Sequence, residues 1–214
     1  MKKIILPALI LFSSLLCSAQ DNSKAKTILD GVSQQTKSYS TIEISFTFTI
    51  QNTLKKTKDT KTGTASMKGE KYWMEYTGQE VFCDGQTVWT YIKENNEVQI
   101  NVNDPNNEQT LNPVKFLTDY DVNYTPKFIK EETRGSKIFQ IIDLTPLKAK
   151  SYYKVRLEID KVQKQVVNAI IYDKNGVSMY SYSITKFVTN KPIADTKFTF
   201  KASDHPGVEV IDLR

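Results

Sequence analysis

The side chains that most often carry covalent or metal chemistry are scarce in this chain: one histidine, His205, and two cysteines, Cys17 and Cys83. A lone histidine cannot supply a histidine-based metal cluster, and a Ser-His-Asp site would depend on a residue set in a loop beside Pro206 and Gly207, near the chain end. Cys83 stands next to Asp84, and a neighbouring carboxylate disfavours the thiolate that a nucleophile needs; Cys83 reads as a small buried hydrophobe. No glycine-rich phosphate loop is present, and acidic pairs such as Glu131-Glu132 read as solvated surface. The expectation is a protein that binds rather than catalyses, with no metal and no cofactor.

What the chain has in quantity is aromatic and flexible apolar side chains at every second position. From Met67 to Ile92 these are Tyr72, Met74 and Tyr76, then Val81 and Cys83, then Val88, Thr90 and Ile92 alternating with Trp89 and Tyr91. Alternation of this kind is a β-meander. Asp84-Gly85 predicts a two-residue type I′ hairpin turn, since both residues tolerate φ > 0.

The elements that must position this meander follow in order. After Asp21 a helix is expected, capped by Ser23, with Ala25, Ile28, Leu29 and Val32 at helical spacing; Gly31 and the polar SQQTKS run weaken it. Ile42, Ile44, Phe46, Phe48 and Ile50 alternate with polar residues as a half-buried strand. LKKTKDTKTG reads as a charged turn, and Glu94–Glu97 turns the chain back into VQINV. Pro113 opens a short helix carrying Val114, Phe116 and Leu117. More strands follow: YTPKFIKE, KIFQIIDLTP, YYKVRLEID with Tyr153, Val155, Leu157 and Ile159 on one face, QVVNAIIYD, VSMYSYSITKF, and a final pair in KFTFKASDHPGVEVIDLR. About eleven antiparallel strands with short turns should curl toward a barrel.

Residues 1–20 place Lys2 and Lys3 before an apolar run from Ile4 to Leu16 and then small residues, the layout of a secretory signal peptide and too short for a stable membrane span. Cys17 raises a lipoprotein alternative, but Leu16 occupies the position before it where such signals need Gly or Ala. Cleavage near Ala19 or Gln20 leaves residues 21–214 as one secreted, soluble domain, with Cys83 as its one cysteine and no internal disulfide. The formal charge of +5, less Lys2 and Lys3, leaves +3. That charge reads as scattered lysines on a solvated surface, which does not favour nucleic acid as a partner.

An unclosed antiparallel barrel can enclose a cavity lined by alternate residues of its strands. The inward candidates are Phe46, Phe48, Tyr72, Met74, Tyr76, Val88 and Leu157; the pattern alone is equally compatible with a filled core. The residues available to cover the mouth are Ile28, Leu29 and Val32 of the first helix and Phe116 and Leu117 of the short one.

The order of helix, TIEISFTFTI strand, MKGEKYWMEY, CDGQTVWTY hairpin, NEVQI, proline-led PVKFL helix and the FTF…GVEVIDLR ending resembles the periplasmic outer-membrane lipoprotein carrier family, LolA, over nearly all of the mature chain. The resemblance implies an incomplete eleven-stranded barrel with helices as a lid. It implies a chaperone that holds the acyl chains of lipoproteins between the inner and outer membranes, loaded by an inner-membrane ABC-type release complex and passing its cargo to an outer-membrane acceptor. An alternative on the same fold is a periplasmic lipid or lipoprotein sensor acting through a partner. The family's best-known members carry an arginine that ties the lid shut where this chain has Lys68, followed by Gly69 in place of their proline. Lysine keeps the charge but lacks the planar five-donor fork.

Overall fold

The computed structural model describes residues 13–104 and 120–214. Its framework is one twelve-stranded sheet that curls without closing. The strands are β1 (Ile42–Asn52), β2 (Thr57–Lys68), β3 (Lys71–Tyr76), β4 (Gln79–Cys83), β5 (Thr87–Ile92), β6 (Glu97–Val102), β7 (Tyr124–Arg134), β8 (Lys137–Pro146), β9 (Tyr152–Asp160), β10 (Gln165–Asp173), β11 (Ser178–Thr189) and β12 (Glu209–Asp212). Their spatial order is β12-β6-β5-β4-β3-β2-β1-β11-β10-β9-β8-β7, so β12 and β7 are the two edges. A helix, α1 (Ser13–Lys37), packs on the β7–β10 half as a lid.

The alternation in β1 becomes burial: Ile42, Ile44 and Phe46 point inward and are buried. Two packed clusters result. In one, Ala25, Leu29 and Val32 of α1 meet Ile142, Leu144, Val155, Leu157 and Ile159 of β8 and β9. In the other, Ile42, Ile44 and Phe46 meet Met67, Tyr72, Val81, Cys83 and Val88 of β2 to β5. Each fully buried aliphatic side chain contributes about 1.5–3 kcal/mol, so both clusters resist opening. The helix is also tied at its side, where the Tyr120 hydroxyl donates to the Asp30 carboxylate and, with Lys26, holds its pKa below the usual range.

The outer face of the meander is covered as well. Phe200 sits on Phe82 and Tyr91 at ring-centroid distances of 5.7 and 5.6 Å, and His205 stacks on Phe200 at 4.6 Å. His205 is therefore packed between rings, although its sequence neighbours alone suggest a loose terminal loop. The strap from Asn190 onward explains why Phe82 and Tyr91 are aromatic although they face away from the interior.

Several local expectations are corrected. Ser23 lies inside α1 rather than capping it, its carbonyl accepting a bond from the Thr27 hydroxyl at 3.1 Å, and SQQTK stays helical to Lys37. The charged LKKTKDTKTG run is a turn only over its first residues; from Thr57 it is β2, because the β1 backbone continues to offer ladder partners from Thr57 opposite Asn52 onward. The Asp84–Gln86 loop is not a two-residue type I′ turn. Only Gly85 has positive φ there, and Asp84 Oδ1 accepts from the amides of Gln86 and Thr87 at 2.9 and 2.8 Å. The two-residue turn with φ > 0 at both positions falls one hairpin earlier, at Thr77-Gly78, with φ of 49° and 79°. KFTF is not a strand: Lys197 and Phe198 end a short 3-10 turn (Asp195–Phe198), and Thr199 and Phe200 follow it outside any strand. The last strand, β12, pairs with β6 in parallel, so the sheet is not wholly antiparallel. The helix predicted from Pro113, with Val114, Phe116 and Leu117, lies outside the described residues; a single helical turn, Tyr120–Asn123, precedes β7.

Candidate functional site

Between the two packed clusters the curled sheet leaves a cavity of about 140 Å³. Its walls come from both halves of the sheet: Ile42, Ile44 and Phe46 of β1, Met67 of β2, Met74 and Tyr76 of β3, Val155 and Leu157 of β9, Val166, Ala169 and Ile171 of β10, and Tyr182, Ile184 and Phe187 of β11. The lining is almost all carbon. Its polar members, Thr36, Lys164 and Gln165, come from the last turns of α1 and from the start of β10 and the turn before it, and Tyr39 stands beside them with its ring against Phe187 at 6.1 Å. The site is therefore a dry chamber with a few polar side chains at one end.

Its volume matches a dry apolar cavity able to take one benzene-sized group. A longer apolar ligand would need more room than this.

Burial dominates the electrostatics. The hydroxyl of Tyr182 is pushed up to about 12 by burial first and then by Tyr76 and Tyr180, and burial alone raises Tyr76. Both stay neutral at physiological pH and behave as apolar bodies with a polar tip.

The chamber stays hollow partly because of Gly63 on β2. A Cβ there would lie 2.5 Å from Phe46 Cζ and 2.9 Å from the Glu75 carbonyl oxygen. Phe46 lays its ring in the space left by the missing side chain, which it can do because it pairs directly with Gly63 across the ladder.

Of the residues expected from sequence to line a cavity, Phe46, Met74, Tyr76 and Leu157 are brought together around it. Tyr72 and Val88 point inward too but are sealed in the second cluster, and the Tyr72 hydroxyl has no hydrogen-bond partner within standard distance and angle limits. Phe48 lies just past the chamber on β1, its ring 4.7 Å from that of Tyr182. The lining residues that sequence reading missed include Ile42 and Ile44 of β1, Met67 of β2, Val155 of β9 and all those of β10 and β11. Alternation is the signal that could have found them: Ala169 and Ile171, then Tyr182 and Ile184, keep period two.

Among the lid residues, Leu29 and Val32 are buried against β8 and β9, with Ile28 packed beside them. Phe116 and Leu117 lie outside the described residues. Lys68 does not reach α1. Its ammonium donates to the Ile193 carbonyl at 3.2 Å and to Asp195 at 2.7 Å, while Lys71 takes the other Asp195 oxygen at 2.8 Å. The lysine that stands in for an arginine latch thus fastens the C-terminal strap. Among the described residues no group of three or more His, Cys, Asp or Glu could hold a metal ion, and no helix is long and apolar enough to cross a membrane.

The sequence pattern of the outer membrane lipoprotein carrier protein LolA matches residues 15–176. The chain belongs to the LolA family. No curated protein matches it in sequence. Among solved structures, an uncharacterized conserved protein from Thermus thermophilus superposes with a TM-score of 0.61 at 11% identity, over 88% of this chain and 99% of that one. A putative outer membrane lipoprotein-sorting protein domain from Vibrio parahaemolyticus superposes with a TM-score of 0.50 at 11% identity, over 83% and 97%. At such identities the likeness establishes the LolA fold, and the side chains of this chamber are this chain's own.

Proposed function

We propose that the protein is a periplasmic carrier that shelters the acyl chains of lipoproteins in the chamber between its two packed clusters while they pass from the inner to the outer membrane. The observation that supports this most is the chamber itself: an almost wholly apolar, unfilled space under a helical lid, on the fold of a carrier family. Residues 1–20 act as the signal peptide and the remainder as one carrier domain. An inner-membrane ABC-type release complex loads it, and an outer-membrane acceptor receives the cargo. The chemistry is binding and release without turnover.

Energetics require such a carrier. Each buried methylene contributes ~0.8 kcal/mol, so a sixteen-carbon chain resists leaving a bilayer by on the order of 12 kcal/mol, and a multiply acylated anchor by more. The chamber must supply a comparable dry surface yet part again at the acceptor. Met67 and Met74, with flexible, polarisable side chains, suit a wall that repacks around cargo of varied shape. In this reading Phe46, Met74, Tyr76 and Leu157 contact the acyl chains, Phe48 extends the apolar row beyond them, and α1 moves aside as the chamber widens.

The test is uptake of a fluorescent fatty acid in solution. The wild-type protein should take it up, and Met74→Glu, which puts a charge into the dry chamber at a partly buried wall position, should abolish uptake while the protein stays folded. Uptake undiminished in Met74→Glu would contradict the assignment.

A further inference from the structure

One end of the sheet gathers a surplus of positive charge. Four turns or loops meet there: residues 53–56 between β1 and β2, 121–123 before β7, 147–151 between β8 and β9, and 174–177 between β10 and β11. Backbone hydrogen bonds join them into one rim. The Thr53 amide donates to the Val177 carbonyl at 2.8 Å, that of Lys174 to Ser151 at 3.1 Å, and that of Leu147 to Asn123 at 2.9 Å. These segments contain five lysines, at 55, 56, 148, 150 and 174, against one aspartate, Asp121, a surplus of +4. The lysines that look scattered along the sequence are gathered by the topology.

On the rim, Lys55, Lys56, Lys148 and Lys174 meet no carboxylate among the described residues. At the opposite end Lys68, Lys71, Lys137 and Lys161 each meet one, although Lys164 does not.

Large apolar side chains stand out of the same rim: Leu54 is 76% exposed, Val122 74%, Leu147 60% and Tyr153 48%. Protruding apolar tips among unneutralised lysines suit the boundary between anionic headgroups and acyl chains.

A continuous apolar row links this rim to the chamber. On the inner face of β1, Phe46, Phe48 and Ile50 stand opposite Ile184, Tyr182 and Tyr180 of β11. Phe48 is in ring contact with both tyrosines. The row runs from the chamber wall to the turn that carries Leu54.

We propose that this rim is the protein's docking surface for a bilayer containing anionic phospholipid, with Leu54 and Leu147 entering the headgroup layer and the β1–β11 row serving as the path of an acyl chain between bilayer and chamber. The docking presupposes the carrier role proposed above, but vesicle binding and acyl uptake are separate measurements, so the two can fail separately.

The experiment is flotation of the processed protein, as recovered from the periplasm, with vesicles of phosphatidylglycerol and phosphatidylcholine or of phosphatidylcholine alone, beside uptake of a fluorescent fatty acid in solution. Binding is expected only to the anionic vesicles and should weaken as salt is raised. The double variant Lys55→Glu/Lys56→Glu should bind on the order of thirtyfold less, at about fivefold for each lysine lost from an anionic surface. Leu54→Glu should bind less as well, Lys137→Glu at the far end should bind as wild type, and all should keep fatty-acid uptake, which also reports that they are folded. If the wild type takes up fatty acid but ignores anionic vesicles, or if the rim variants bind as tightly as Lys137→Glu, the docking surface is wrong while the carrier role stands. Binding only to vesicles that carry membrane protein would overturn it in favour of an acidic protein partner. Anionic vesicle binding without any fatty-acid uptake would leave the surface in place and sink the carrier role.

Discussion

The ring of Phe46 fills the volume that a side chain at Gly63 would need, with Phe46 Cζ 2.5 Å from where that Cβ would stand. A glycine in the middle of β2 weakens the strand locally, and here the missing side chain lets an aromatic on the neighbouring strand lie flat against the wall and leave the chamber empty. Gly63→Ala must displace the ring and shift the Glu75 carbonyl slightly as well. The expected result is overpacking of about 1–3 kcal/mol, seen as a lower denaturant midpoint, together with weaker fatty-acid uptake as Phe46 swings into the chamber. Gly63→Ala combined with Phe46→Ala should recover uptake.

Tyr72 and Met74 are two residues apart on β3 and share a face, yet they differ in depth. Met74 borders the chamber and Tyr72 is sealed in the packed cluster with its hydroxyl unpaired. Met74→Glu should leave the protein folded, with a normal circular-dichroism spectrum, and lose acyl binding, because the carboxylate can share the chamber with water. Tyr72→Glu should cost more than about 3 kcal/mol and lower the melting temperature sharply, since the charge has no water to reach. Equal melting temperatures for the two variants would show that the boundary between chamber and core is misplaced.

Asp195 is held down to about 2, first by hydrogen bonds from Lys68 and Lys71 and then by their charges. Its folded pKa lies below the ordinary 3.8, so the link between the strap and the β2–β3 turn is fully in force above pH 3.8 and is lost as pH falls through about 2. The site is open to solvent, which makes the effect small and salt-sensitive. Lys68→Ala should move the Asp195 carboxyl pKa upward in an NMR titration while leaving the rate of fatty-acid release unchanged, because the strap lies away from α1. A tenfold change in release would restore Lys68 to the role of a lid latch.

Much of this architecture is legible in the sequence because β1, β3 and β9 alternate cleanly and the turns after them are marked. What alternation encodes is the face a side chain takes, not how deep it sits. It puts Phe46 and Leu157, which border the chamber, on the inner face, but it puts Tyr72 and Val88 there as well, and the curl of the sheet seals those two into the second cluster. Strand direction has no local code either, and nothing in GVEVIDLR says that β12 pairs in parallel with β6. The Asp84 loop departs from its expected turn because the Asp84 carboxylate captures two following amides, an option open to any Asx residue at that position. The SQQTK segment stays helical despite its polarity because α1 is held by packing at Leu29 and Val32, where propensity is a weak guide. The clustering of lysines is invisible in the sequence because they come from turns as much as a hundred residues apart that only the strand order brings together.

Native mass spectrometry of the protein recovered from the cells that make it tests the central claim most directly, since it asks whether the chamber is occupied in the cell. A population should carry added mass that dissociates as acylated polypeptide, and Met74→Glu should be recovered folded and without it. Recovery of the wild-type protein solely in its bare form, or with added mass that persists unchanged in Met74→Glu, would contradict an acyl carrier that uses this chamber.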